Sequence, residues 1–420
     1  MKKIFIYVHG CERRGLDASR TIKYLSENNY TIVDNPTDAD TIIFFACAAL
    51  NSIADESIKK IKGFQKYNAE LIVAGCLPVI EKEKLARIFN GKIISTRDIE
   101  KIDTLFPGNK IKYRNIDDAN IVYRNFKEFV PLGVLKKGFK NVESMEKVYV
   151  DIKNHVLKGL FGEHAFIYRF LPDPSLYHVR ISTGCLGNCS YCSIKKGIGD
   201  CVSKPIDECI NEFINGLNQG YKRLTIDGDD TGAYGLDIDN TFPELLYKIT
   251  EIDGDYRISI RNLHPVWIVR YIDDLEIILK RKKIHYIETP IQSGCARILK
   301  LMKRYSDVER MKDAIFRLKK SFPDISLVTD YIIGFPMETE EDFKQTLNYL
   351  KEIEFSAGMI VPFSCTAGTE ASNIEPKVGQ WDVLRRIKFA KKFLKNLGYH
   401  VVYFSRKEFF LFWNESYKND

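Results

Sequence analysis

Between residues 178 and 363 the chain repeats one pattern six times: a short apolar, β-branched run, a turn, and a helical stretch. The runs fall at 178–183, 223–226, 256–260, 285–291, 325–333 and 359–363, and helical stretches such as 207–219, 243–252 and 340–353 lie between them. Strands that alternate with helices at a spacing near 30 residues form parallel sheets, because each crossover helix returns the chain to the same end of the sheet. Residues 1–106 alternate in miniature, with runs at 4–9, 31–33, 41–46, 70–74 and 92–95 and helical stretches at 19–28 and 53–66. The expected fold class is therefore α/β, a small doubly wound parallel-sheet domain followed by a six-unit sheet, open or curled as a partial (βα)6 barrel. Ligands in such sheets bind at the carboxyl ends of the strands.

The implied division is a first domain over 1–106, a connection over 107–177, the larger sheet over 178–400, and a short tail over 401–420. The connection is long enough to require structure of its own. Within it Met145, Val148, Tyr149, Ile152, Val156 and Leu160 recur at helical spacing, which predicts an amphipathic helix. An apolar content of 45% with 12% aromatics excludes a disordered chain. No apolar run approaches the roughly 18 residues of a spanning helix. The opening run Ile4-Phe5-Ile6-Tyr7-Val8 falls short of a signal-peptide core of about 7–15 residues, so it reads as the first strand of a cytoplasmic protein. A net charge of +7 is compatible with an RNA partner without demanding one.

Ten cysteines in a chain with no secretory signal point to metal ligation or catalysis before disulfides. Cys185, Cys189 and Cys192 form C-x3-C-x2-C directly after the first strand of the larger sheet. Three thiolates in one loop can each hold one iron of a cubane cluster and leave the fourth iron open to a substrate or cofactor. The alternative is a zinc site completed by Cys201, Cys209 or His178. Cys11, Cys47 and Cys76 each follow a strand of the first domain within one to three residues. If those strands are parallel, the three thiols share one sheet edge and form a second cluster site. Cys209 and Cys295 read as core residues, Cys201 and Cys365 fit either role, and His264, ahead of Pro265, reads as a turn residue.

The loop Thr183-Gly184-Cys185-Leu186-Gly187-Asn188-Cys189-Ser190-Tyr191-Cys192 resembles the signature of radical S-adenosylmethionine (SAM) enzymes. With the segments 227–235, 290–294, 302–305 and 330–339 and the Cys11, Cys47, Cys76 triplet, the chain resembles the methylthiotransferase family of those enzymes. The resemblance implies two [4Fe-4S] clusters, one on Cys185, Cys189 and Cys192 and an auxiliary one on Cys11, Cys47 and Cys76. It also implies SAM as cofactor, with Tyr191 near the adenine and Asp227, Gln292, Ser293, Arg304 and Gly334 lining the SAM pocket. Gly334 equally fits a turn, and Arg304 a helix C-terminus.

The implied reaction replaces a substrate C–H bond by C–S–CH3 and calls for a low-potential electron donor. Family members commonly end in a small β-barrel that docks the substrate, and the roughly 20 residues after the last long helix leave no room to expect one. Ile198 and Lys204 also stand where the family favours Arg. The missing barrel and the long connection favour a polypeptide substrate. The stretch Asp230-Thr231-Gly232-Ala233-Tyr234-Gly235 looks instead like the branch that acts on threonylcarbamoyl-adenosine in tRNA. A third reading is an iron–sulfur protein that binds RNA or a partner without catalysis.

Overall fold

The computed structural model describes residues 1–124, 166, 173–404 and 409–418, and the helix expected over 145–160 lies outside them. Two compact units divide the chain, Met1–Cys47 with Glu56–Pro174, and Ser175–Lys418 with Ala48–Asp55.

The first unit is built on strands β1 (Lys3–His9), β2 (Thr31–Ile32), β3 (Thr41–Ala46), β4 (Glu70–Gly75) and β5 (Lys92–Ser95). All pairs are parallel and the order is β2-β1-β3-β4-β5, the doubly wound sheet the alternation predicts. β3 is buried along its whole length, as its unbroken apolar run requires of a strand covered on both faces. The core continues beyond residue 106: Tyr113 and Ile116 are buried in it, and Ser19 and Arg20 donate to the carbonyls of Ile121 (2.7 Å) and Ile116 (2.9 Å).

The second unit has β6 (Leu176–Arg180), a two-stranded antiparallel pair β7 (Ser182–Thr183) and β8 (Val202–Ser203), then β9 (Arg223–Asp227), β10 (Arg257–Ile260), β11 (Ile284–Glu288), β12 (Ser326–Ile333) and β13 (Ala357–Pro362). β6 and β9 to β13 pair in parallel in chain order, giving the six-strand sheet of a partial barrel. The last residues are not a bare tail. β14 (His400–Phe404) and β15 (Phe409–Trp413) form an antiparallel hairpin, and β15 pairs with β13 so that Phe410, Leu411 and Phe412 are fully buried. No helix among the described residues is long and apolar enough to cross a membrane.

Candidate active site

The cysteine loop leaves β7 through Gly184, whose φ of +81° suits glycine and whose added Cβ would lie 1.9 Å from the Asp200 carbonyl oxygen. Backbone bonds pin the loop: Cys185 N–H donates to Gly199 (3.2 Å), Ser190 N–H to Met302 (3.0 Å), and the Ser190 hydroxyl to Leu301 (2.7 Å). Lys195 Nζ donates to the Gly187 carbonyl (3.0 Å). Gly187 N–H donates to Cys185 Sγ (3.2 Å), and a Cβ at Gly187 would stand 3.4 Å from Cys185 Sγ and 3.9 Å from Cys189 Sγ. Both sulfurs thus face the hollow that the glycine leaves. Burial, reinforced by the Asp230 carboxylate, pushes the Cys185 thiol well above its ordinary pKa, and burial likewise raises Cys192. Thiols that hold their protons against water are the ones that need a metal cation to become thiolates.

Loops from neighbouring strands close around these sulfurs. After β9, Asp229 Oδ2 accepts from Gly184 N–H (3.0 Å) and Asp230 Oδ2 lies 3.6 Å from Cys185 Sγ. After β10, Trp267 Nε1 donates to Asp230 Oδ1 (2.7 Å), which lies 3.5 Å from His264 Nδ1. Burial and the Arg304 charge push His264 down to about 4, so the imidazole is neutral at physiological pH. Arg304 Nη1 reaches Cys189 Sγ (3.6 Å) and the Tyr191 hydroxyl (3.5 Å), while Nη2 donates to the Pro290 carbonyl beyond β11. Burial opposes the Arg304 charge, but Tyr191 and Cys189 beside it outweigh that and hold the guanidinium above its ordinary range.

Among the described residues, the one group of three metal-ligand side chains whose donor atoms lie within 4.8 Å of one another is Cys185, Asp230 and His264. Thiolates on one tetrahedral zinc, with bonds near 2.3 Å, would sit about 3.8 Å apart. Neither cysteine triplet is drawn that tight, and Cys201, Cys209 and His178 do not join Cys185 in such a group. Cys209 instead packs on the Lys204 carbonyl and the Tyr234 hydroxyl, and His178 faces Asp227 at 4.0 Å.

In the first unit the ladder runs one residue past the strand ends: Cys47 N–H donates to His9 (2.9 Å) and Cys76 N–H to Ala46 (3.1 Å). Since His9 pairs with Ala46 and Ala46 with Gly75, Gly10, Cys47 and Cys76 follow side by side at the carboxyl ends of β1, β3 and β4, and Cys11 comes one residue further on, just before the helix Glu12–Glu27. Cys11 is exposed, while Cys47 and Cys76 are buried.

The remaining sequence candidates sit at the same sheet edge but are differently engaged. Asp227 is fully buried at the end of β9, facing His178, and it is Asp229 and Asp230 that carry carboxylates to the loop. The Ser293 hydroxyl accepts from Cys295 N–H and meets Thr346 Oγ1, both at 3.1 Å, which fixes the turn after β11. Gln292, at φ +73°, joins that turn to β12 through backbone bonds to Asp330 and Ile332. Gly334, at φ +80°, donates its N–H to Glu338 (2.7 Å), and its added Cβ would meet Val383 at 2.5 Å. Lys204, where the family favours Arg, pairs with Glu212 at 2.6 Å, and Ile198 is buried. Asp229 and Asp230 were marked in the sequence only as part of a segment and His264 only as a turn residue, and Trp267 not at all, because they meet from two different loops.

Residues 179–350 match the radical SAM superfamily, and residues 3–95 match an uncharacterized protein family, UPF0004. A parallel partial barrel with its three-cysteine loop at the carboxyl edge is that of a radical SAM enzyme. Three curated relatives narrow the class. A tRNA-2-methylthio-N(6)-dimethylallyladenosine synthase of Thermodesulfovibrio yellowstonii is 30% identical over 90% of this chain and 80% of its own. A probable threonylcarbamoyladenosine tRNA methylthiotransferase of Pyrococcus horikoshii is 24% identical over 96% and 86%. The ribosomal protein uS12 methylthiotransferase of Carboxydothermus hydrogenoformans is 28% identical over 90% and 78%. The chain belongs to the radical SAM methylthiotransferase family, and it is an enzyme of that type. In fold it is similar to the radical SAM methyltransferase TsrM of Kitasatospora setae, with a TM-score of 0.57 and 11% identity over 86% of this chain and 73% of that one.

Proposed function

We propose that this enzyme methylthiolates an adenosine of the threonylcarbamoyl type in tRNA. The observation that carries the reading is the relative of that activity in Pyrococcus horikoshii, aligned over 96% of this chain. The Asp230–Gly235 stretch, which looks like that branch, agrees with it. The polypeptide preference drawn from the sequence departures gives way here. It stays as the second reading because a ribosomal-protein methylthiotransferase is also among the relatives.

When bound, the two clusters and SAM supply one-electron reduction of SAM, hydrogen abstraction from the substrate, and a methylated sulfur. This chain's residues hold and orient those groups. Cys185, Cys189 and Cys192 would hold the cluster that serves SAM, and Cys11, Cys47 and Cys76 would hold the auxiliary cluster. Arg304 bears a fixed positive charge beside Cys189 and orients Tyr191, the aromatic assigned to the adenine side. Asp229 holds the loop entrance through Gly184, and Trp267 holds Asp230 against Cys185. Asp227, Gln292, Ser293 and Gly334 shape the floor and turns of the SAM pocket. A low-potential electron donor completes the system.

The test is mass spectrometry of tRNA nucleosides and ribosomal peptides from cells with and without the gene, paired with two triple-alanine variants. Loss of a methylthio adenosine without the gene is expected, and loss of a methylthio peptide mark alone would overturn the tRNA assignment. Alanine at Cys185, Cys189 and Cys192 should abolish SAM cleavage. Alanine at Cys11, Cys47 and Cys76 should leave it intact and abolish methylthio product.

A further inference from the structure

We infer that Arg14, with Thr96, is a positioning pair that hydrogen-bonds the Cys76 sulfur and raises the reduction potential of the group held by Cys11, Cys47 and Cys76. The inference rests on the assignment of that triplet as a cluster site. Arg14 is 3% exposed, in a helix (Glu12–Glu27) that starts directly after Cys11. Its Nη1 lies 3.7 Å from Cys76 Sγ and donates to Thr96 Oγ1, which is itself 3.6 Å from the same sulfur. Nη2 pairs with the buried Asp17 at 3.2 Å, which fixes the plane of the fork.

The residue reaches the other two cysteines through its backbone and stem. Arg14 N–H donates to the Cys11 carbonyl (3.1 Å). A Cβ at Gly10 would come within 3.1 Å of Arg14 Cγ and 3.3 Å of Cys47 Cβ, so the missing side chain there is what lets the stem lie beside Cys47. Asp17 balances the Arg14 charge, so the effect runs through the contacts of Arg14 Nη1 and Thr96 Oγ1 with the Cys76 sulfur: hydrogen bonds to ligand sulfurs are among the factors that set iron–sulfur potentials, and they stabilise the more negative, reduced state. A raised potential favours uptake of the one electron released when a carbon radical and methanethiolate close to a thioether, R• + CH3S⁻ → R–S–CH3 + e⁻.

The experiment is an EPR-monitored redox titration of the full chain carrying Cys185, Cys189 and Cys192→Ala, reconstituted without oxygen, so that the auxiliary group titrates alone. Arg14→Met should lower the one-electron reduction constant at least tenfold, a drop of about 59 mV. Thr96→Val should move it the same way by less, and Arg14→Lys should fall between Arg14→Met and the parent. Midpoints unchanged in Arg14→Met and Thr96→Val, with iron retained, would overturn the inference. If Arg14→Met fails to hold iron, an unchanged Thr96→Val midpoint overturns it and a lowered one supports it. A parent that binds no iron would overturn the cluster assignment and the inference together, an outcome distinct from an unchanged midpoint.

Discussion

Gly184 is where a single carbon atom decides whether the radical-SAM loop can form. An alanine there would have to hold φ +81° with its methyl 1.9 Å from the Asp200 carbonyl oxygen, so the backbone must shift at the residue that precedes Cys185. Gly184→Ala should therefore reduce the iron of the reconstituted protein from about eight to about four per chain, because the first-unit triplet is untouched. Iron analysis together with EPR checks this, and full iron content would show that the loop tolerates the shift. Gly232 is held for a similar reason, since its added Cβ would fall 2.2 Å from the Trp267 ring that secures Asp230. Close contact requires glycine at both places, and at Gly184 its φ of +81° requires it too.

At the scale of the element, the helix Glu340–Ile353 shows how strongly one cap can be fixed. Thr339 and Asp342 form a reciprocal capping box, and Asp342 also accepts from Arg297 Nε (3.2 Å) and Cys295 Sγ (3.0 Å). Burial would raise the Asp342 pKa, but the hydrogen bonds from Arg297, Cys295 and Thr339 outweigh it and hold the carboxyl well below its usual range. A carboxyl depressed in the folded state stabilises the fold above its unfolded pKa of about 3.9 and loses that contribution as pH falls below it. Asp342→Asn should thus lower Tm clearly at pH 7 and progressively less toward pH 3, measured on iron-free protein. A gap between variant and wild type that stays constant over that range would contradict the account. This helix was legible to the residue in the sequence, as were β3 and β5, because caps and unbroken apolar runs are local signals. Of the helix Glu12–Glu27 only the part from residue 19 was read: its first turns bury Arg14 and Asp17 as an ion pair, which breaks the apolar periodicity that marks a helix. The strand Phe409–Trp413 was read as tail, since a strand buried on both faces has no polar alternation to announce it. The spacing of Cys185, Cys189 and Cys192 and the strand ends before Cys11, Cys47 and Cys76 are local features of the sequence, whereas the contacts that bring Asp230, His264 and Trp267 together depend on which loops the sheet order makes neighbours.

For the molecule as a whole, the substrate question becomes one of charge. The chain carries 63 basic against 56 acidic residues, a net of +7, which is modest for a protein that must neutralise a polyanion. On charge alone a weak response of RNA binding to salt would be expected, as it would be for a polypeptide substrate. The tRNA reading makes the opposite demand, because a tRNA held across 6–10 phosphates releases counterions and its affinity falls on the order of 10³–10⁵-fold between 50 and 200 mM salt. Titration of the reconstituted enzyme with tRNA at those two concentrations should show that steep loss. A change of less than about tenfold would mean that few phosphates are engaged, and it would favour the polypeptide substrate. Steep loss alone would also follow from non-specific attraction, so the same titration is run with tRNA that lacks the threonylcarbamoyl group. Binding specific to the modified adenosine should weaken when the group is removed, at both salt levels, with little change in the salt response, since its one carboxylate adds a single charge against several phosphates.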